Sequence, residues 1–496
     1  MKYVLVFLFA LVLRLASISS IPPGVYLDEA SLGYNAFSLL LTGRDEYRQP
    51  LPVFLRSFGT YPPALSVYAA VPAIKFFGLS VFSYRLTPAV FGALSCLVFA
   101  ILAARLLGQK VFLLSGVLFA TNPGLMLWNR SFPEVTLALL LVLLGLVVFL
   151  HRRHYLGTFL LSLSTYAYQS PRVLVYLLIL FLLIKYRRFS ILAIFFLTQL
   201  PQIYFLNFSG PKIRLTNQLW FSQIPHTVTA VSREFLSQYL AYYSPQNLFW
   251  WPDPDPQRSL PELSLFYNWQ VAPYLLGLIY LFFAWRQPLV IFLLAISPLA
   301  AALVKDPFST TRASWLIVPL TLIFVPVLRR LHFSILVILT LFSLAQLYRS
   351  FFILLPHERA DVWYAGYRQL YQKLDDQPLP ALVDSSFPIY SLYLFYSRTP
   401  PEQVQAFFPR GLPDYYNQTV WQNYFSTNKI AFHPINWKTD IYKDQLIVGG
   451  PLSVSSDQAL EHFLTPEFSL GRFTAYRTHP SLKCAGLSAK IDQCSR

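Results

Sequence analysis

Two adjacent carboxylates, Asp28 and Glu29, stand in the stretch YLDEASLGYNA, just after the first apolar run of the chain. A carboxylate beside low-dielectric surroundings is costly to keep ionised unless it is paired. The pair therefore reads as a general base, or a cation-binding acid, held at a membrane surface. The plainer alternative is that Asp28 caps a helix beginning near Glu29. A second acidic position, Glu134, opens another long apolar run in WNRSFPEVTLALLL, four residues after Arg130. That spacing permits an ion pair on one helix face, and an acid in a first turn also suits the helix dipole.

Cations stand at the same ends of the apolar runs: Arg85, Arg172, Lys305 and Arg312. In KDPFSTTRAS, residues 305–314, a Lys and an Arg enclose several hydroxyls, the composition of an anion pocket. Arginine suits bidentate phosphate binding, and lipid headgroup contact is the plainer reading. In YYSPQNLFWWPDPDPQRS, residues 242–259, Trp250 and Trp251 lie close to Asp253, Asp255 and Arg258. Such a tryptophan pair stacks on a sugar ring or belongs to an interfacial aromatic belt. The loop at 42–68 carries Asp45, Glu46, Arg44, Arg48, Arg56 and Tyr61. It reads either as a solvated face or as the mouth of a site for a polar substrate.

Soluble nucleotide and hydrolase signatures are absent: there is no P-loop, no GxGxxG after a strand, no HExxH and no GxSxG. Asp28 and Glu29 offer a divalent cation too few ligands for one to be assigned. Cys96 lies in an apolar run; Cys484 and Cys494 are spaced for a disulfide if the tail is extracytoplasmic.

The elements that must position these residues are membrane helices. Charged residues make up 12% of the chain, about half the share of a soluble protein. Apolar windows of about 18 residues recur along it. Eleven spans are expected, at about 3–21, 80–104, 111–127, 132–150, 155–170, 172–184, 189–207, 271–285, 288–304, 313–328 and 331–349. Arg14 within the first favours a retained helix over a cleaved signal. Residues 62–79, interrupted by Pro72 and Lys75, read as an interfacial or re-entrant helix.

The net charge of +16 would suggest nucleic acid in a soluble protein. Here the cations cluster in short turns: Arg105 and Lys110, Arg152 and Arg153, Lys185, Arg187 and Arg188, Arg286, Arg329 and Arg330. That is the positive-inside pattern, so nucleic acid is set aside. No Asp or Glu falls in those turns. The membrane-domain acids all lie at the other face, which places the acidic chemistry outside the cytoplasm. Residues 1–350 thus form a membrane domain with outer loops at 22–79 and 208–270. Residues 351–496 form a small extracytoplasmic α/β domain. Its strands are expected at 381–384, 429–433, 445–448 and 468–476, and its helices at 361–374, 389–396 and 455–463.

The pattern PPGxYxDEAxxGYNA, followed by TGxDE, PLP, SFG and YxPPL, resembles polytopic glycosyltransferases of the GT-C class. It is similar to the superfamily of dolichyl-phosphate-mannose protein mannosyltransferases and aminoarabinose transferases (glycosyltransferase family 39-like). The resemblance covers about residues 1–370. It implies a helical membrane bundle with its site at the extracytoplasmic mouth, and a sugar donor on polyprenyl or dolichyl monophosphate. It also implies inverting transfer to a lipid, glycan or protein acceptor. Asp28 would be the base with Glu29 beside it, and Glu134 a second acid. Arg312, Lys305, Arg85 and Arg172 would hold the donor phosphate. Tyr61, Arg130, Trp250, Trp251, Asp253 and Arg258 would contact substrate. No cofactor is required by that chemistry, although a divalent cation at the acids is compatible with it. The expected location is the plasma membrane of a prokaryote, as a multi-pass protein. Members with the YSP…DP loop often carry Arg-His near its end, where this chain has Arg258-Ser259; a histidine role there is not expected. The competing reading is a transporter or flippase of lipid-linked sugars, which predicts midplane charges and related halves. Neither is visible in the sequence. A non-catalytic scaffold displaying the tail leaves the acid pair and outer cations unexplained.

Overall fold

The computed structural model describes residues 1–210, 212, 218–385, 389–408, 411, 413–419 and 424–485. Cys494 lies outside them.

The chain begins with α1 (Lys2–Leu15), then α2 (Leu27–Thr42) and α3 (Leu65–Phe77), which belong to the first outer loop. The membrane core follows: α4 (Val81–Leu107), α5 (Phe112–Ala120), α6 (Pro123–Ser131), α7 (Pro133–Leu150), α8 (His154–Ser164), α9 (Pro171–Tyr186) and α10 (Ile191–Phe205). Among the described residues three helices are long and apolar enough to cross a bilayer: α4, α7 and Phe333–Glu358. The α5–α6 pair passes the same test as one element bent by 65°. That bend divides the span expected at 111–127: Asn122 caps α6 through Leu125 N, and Pro123 cannot supply an N–H to a continuing helix. The spans expected at 189–207, 288–304 and 313–328 correspond to the shorter apolar helices Ile191–Phe205, Pro288–Ala302 and Ser314–Leu328.

Two glycines allow α7 and α8 to touch. A Cβ on Gly145 would stand 3.0 Å from the Gly157 carbonyl, and one on Gly157 would stand 2.9 Å from the Gly145 carbonyl. Small residues at such crossings let helix backbones approach. Arg14 is fully buried, and its guanidinium donates to the Ala10 and Ala120 carbonyls.

The tail folds around a six-stranded sheet of order β2-β3-β1-β4-β6-β5. These strands are β1 (Ala381–Asp384), β2 (Phe425–Ser426), β3 (Ile430–His433), β4 (Leu446–Gly449), β5 (Thr465–Leu470) and β6 (Phe473–Arg477). β1 runs parallel to β3 and β4; the outer pairings are antiparallel. The strand expected through 468–476 is instead a hairpin. Gly471 adopts φ +56° there, a left-handed conformation that glycine reaches without a Cβ penalty. The two-residue β2 carries too short a pattern to be seen in sequence.

This domain is not a separate appendage. Tyr34 and Val67 of the first outer loop share one buried cluster with Tyr371, Phe395, Phe432 and Val448 of the tail. Gly33 lies so close to Phe395 that a Cβ would fall 2.7 Å from its ring. The Tyr34 hydroxyl donates to the Thr399 carbonyl at 3.0 Å. The helix bearing Asp28 is thus pressed between the membrane bundle and the α/β domain.

Candidate active site

The start of α2 separates the two adjacent acids. Glu29 turns inward, fully buried, and meets Arg85 of α4 through two contacts of 2.9 and 3.0 Å. Its other role is local: Glu29 Oε2 accepts the Tyr26 N–H at 3.3 Å, satisfying an orphan donor of the helix start. The helix begins at Leu27, so the cap expected of Asp28 is supplied by Glu29. Arg85 also donates to the carbonyls of Pro22 (2.9 Å) and Gly24 (2.5 Å). The guanidinium thereby fastens the turn before α2. Arg85, expected at the donor phosphate, and Glu29, expected beside the base, are each other's buried partners. Burial pushes Glu29 upward in pKa, and Arg85 and the Tyr26 N–H pull it back.

Asp28, on the opposite side of that turn, lines a cavity of about 210 Å³. Glu134 lines the same cavity from the first turn of α7. Ser57, Thr60, Tyr168, Gln169 and Gln218 supply further polar wall. Asp28 and Glu134, 106 residues apart in sequence (134 − 28), thus line one cavity.

A second cavity, of about 180 Å³, shares Tyr168, Gln169 and Gln218 with the first. Arg172, Lys212 and Arg312 line it, together with apolar side chains that include Val173, Leu206, Leu303 and Val304. Lys212 was not singled out in the sequence, because its surroundings, PKIRL, carry no distinctive spacing. Lys305 does not line this cavity. Its backbone N–H donates to the Gln218 carbonyl at 2.8 Å, anchoring the shared wall.

The remaining expected contacts serve the framework. Arg258, expected at the substrate, is surrounded by Asp253 (3.4 Å), Asp255 (3.2 Å) and Asp306 (3.5 Å), and donates to Ser309 at 2.7 Å. Asp253 accepts from both the backbone N–H and the hydroxyl of Thr310, at 2.7 and 2.8 Å. These contacts tie the 242–259 loop to the 305–314 loop. Asp306 in turn holds Arg312 at 2.6 Å. Burial pushes Asp306 up, but Arg312 and Arg258 outweigh it and hold this carboxyl below its usual value. Burial raises Asp253, against the pull of Arg258 and Thr310. Arg130 donates to the Ile21 and Leu13 carbonyls at 3.2 and 2.7 Å and lies over the Phe351 ring. Tyr61 donates to the Tyr415 and Gln418 carbonyls, binding the outer loop to the tail. Trp250 and Trp251 are 50% and 57% exposed and line neither cavity, which favours the aromatic belt. Among the described residues no group of three or more His, Cys, Asp or Glu side chains assembles as for a metal ion.

No family model matches the chain, and no curated protein matches it. Among solved structures it is similar to ArnT from Cupriavidus metallidurans in the apo state, at 12% identity and a TM-score of 0.55, over 97% of this chain and 98% of that one. It is also similar to the same protein bound to undecaprenyl phosphate, at 13% identity and a TM-score of 0.59, over 97% and 98%. Because the match runs through both the helical bundle and the tail sheet, this chain has the fold of ArnT, the polytopic GT-C architecture.

Proposed function

We propose that the protein transfers a sugar from a polyprenyl-phosphate donor to an acceptor at the mouth of its helical bundle. One observation carries this reading: an acidic cavity and a basic, partly apolar cavity share a wall. The similar fold of ArnT, whose structure holds undecaprenyl phosphate, supports it. The donor phosphate sits among Arg172, Lys212 and Arg312, with its lipid chain along the apolar side. The sugar lies at the shared wall of Tyr168, Gln169 and Gln218. An acceptor X–H enters beside Asp28. Its lone pair attacks the anomeric carbon as the bond to the phosphate oxygen breaks, and Asp28 takes the proton. A single displacement inverts the anomeric centre. The leaving group departs as polyprenyl phosphate, its charge balanced by the three cations. Glu134 is the second acid facing the acceptor side.

No nucleotide-binding element is needed, because the donor brings its own charged leaving group. The test is incubation of purified protein with a panel of polyprenyl-phosphate sugars and acceptors, with polyprenyl phosphate release as readout. Release that requires acceptor supports transfer. Donor movement across a proteoliposome bilayer without release would favour the transporter. Adding EDTA reads any dependence on a divalent cation at the acids.

A further inference from the structure

The far end of α7 carries a cavity that the transfer reaction does not use. α7 spans Pro133–Leu150, 18 residues, or about 27 Å at the helical rise. The turn after it therefore lies at the membrane face opposite Glu134. There, a cavity of about 440 Å³ is lined by Arg152, Arg153, Arg188 and His154. Tyr155 and Ser190 also line it, and their hydroxyls meet at 3.0 Å.

Three features separate this cavity from an ordinary basic turn. First, its cations are uncompensated. No Asp or Glu occurs between Glu134 and Glu234 in the sequence, none lines the cavity, and the three arginines form no ion pair among the described residues. Second, two helices begin at its wall: α8 at His154 and α10 at Ile191, neither with an acid in its first turn. Their N-terminal N–H groups and dipoles favour an anion. Third, an apolar surface adjoins it on α8, with Leu156 in the lining and Leu156 and Phe159 45% and 41% exposed.

We propose that this cavity binds the phosphate headgroup of an anionic phospholipid in the leaflet opposite the acidic cavity. The arginines fork onto the phosphate oxygens, the Tyr155–Ser190 pair offers hydroxyl donors, and the acyl chains run down α8. Basic pockets between membrane helices on this face are suited to such headgroups. A free phosphate ion shares the chemistry but makes no use of the adjoining apolar surface.

The experiment is native mass spectrometry of the full-length protein in detergent, titrated with phosphatidylglycerol or phosphatidylcholine. The probe variants are the R152Q/R153Q/R188Q triple and R188Q alone. The control is R105Q/R329Q/R330Q, which removes equal charge from other turns. Wild type and control are expected to retain phosphatidylglycerol over phosphatidylcholine by about tenfold or more. The probe triple loses that preference and R188Q loses part of it, with unfolding temperatures in phosphatidylcholine nanodiscs unchanged. Equal loss in probe and control overturns the site in favour of diffuse charge. Full retention in the probe variants overturns it outright. Displacement of the lipid by millimolar inorganic phosphate overturns the lipid assignment.

Discussion

At the scale of single residues, Asp28 and Glu29 have different fates although they are neighbours. A helix turns about 100° per residue, so adjacent side chains cannot face the same surroundings. Glu29→Gln leaves Arg85 buried without its charge partner, and Arg85→Leu does the same to Glu29. Removing one partner of a buried pair costs about 3–5 kcal/mol. Both variants are expected to lower the unfolding temperature and the yield of folded protein, measured by fluorescence-detected size exclusion. At the other cavity, replacing Arg172, Lys212 or Arg312 by Gln removes a charged hydrogen bond of about 1.5–3 kcal/mol. The donor KM should rise about 10- to 100-fold for each, with a smaller change in kcat. Arg312→Lys should not restore the full effect, because an ammonium cannot fork onto phosphate as a guanidinium does. The acids and outer cations were legible in sequence as types at helix ends. Their division into cavity lining and framework was not, because it depends on which way each helix faces. Arg258 shows this plainly: its neighbours Asp253 and Asp255 were visible, but Asp306 arrives from 48 residues away (306 − 258).

At the scale of elements, the decisive contact is between α2 and the tail domain. Phe395→Ala opens a void beside Gly33 and should cost about 3–5 kcal/mol. Turnover should fall with it, since α2 carries Asp28; a scan of unfolding and activity on the same preparation checks both. The loop after α2 adds a titrating contact. Asp45 accepts from Tyr415 at 2.5 Å and from the Tyr47 and Gln49 N–H groups, and Glu46 accepts from Asn35. Burial raises Asp45 to about 6, against the pull of Tyr415, and Glu46 to about 7, against that of Asn35. Folded values above unfolded ones mean that the native state binds these protons more tightly. Their contribution is full below about pH 4 and is lost as pH rises through about 6 to 7. The unfolding temperature should therefore fall from pH 5 to pH 8, and the Asp45→Asn, Glu46→Gln double variant should flatten that profile. The sequence made the tail readable as α/β, because its short apolar runs are bounded by turn residues. It did not reveal that this domain completes the core of the first outer loop, since long-range packing leaves no local period.

At the scale of the whole molecule, the chain is polarised along the membrane normal. Acids and a basic, partly apolar cavity lie at one end of α7, and uncompensated arginines at the other. Apolar windows and flanking charges made the polytopic class and this polarity visible. The number of spans was less visible, because several apolar runs fold as short or bent helices, as at Pro123. The central claim is that Asp28 acts in chemistry while the basic cavity acts in donor binding. It is tested most directly by measuring donor affinity and single-turnover rate together on Asp28→Asn. The account predicts donor binding within about twofold of wild type and a rate reduced about 10²- to 10⁴-fold, the contribution of a positioned general base. Wild-type turnover by a folded Asp28→Asn protein would contradict it.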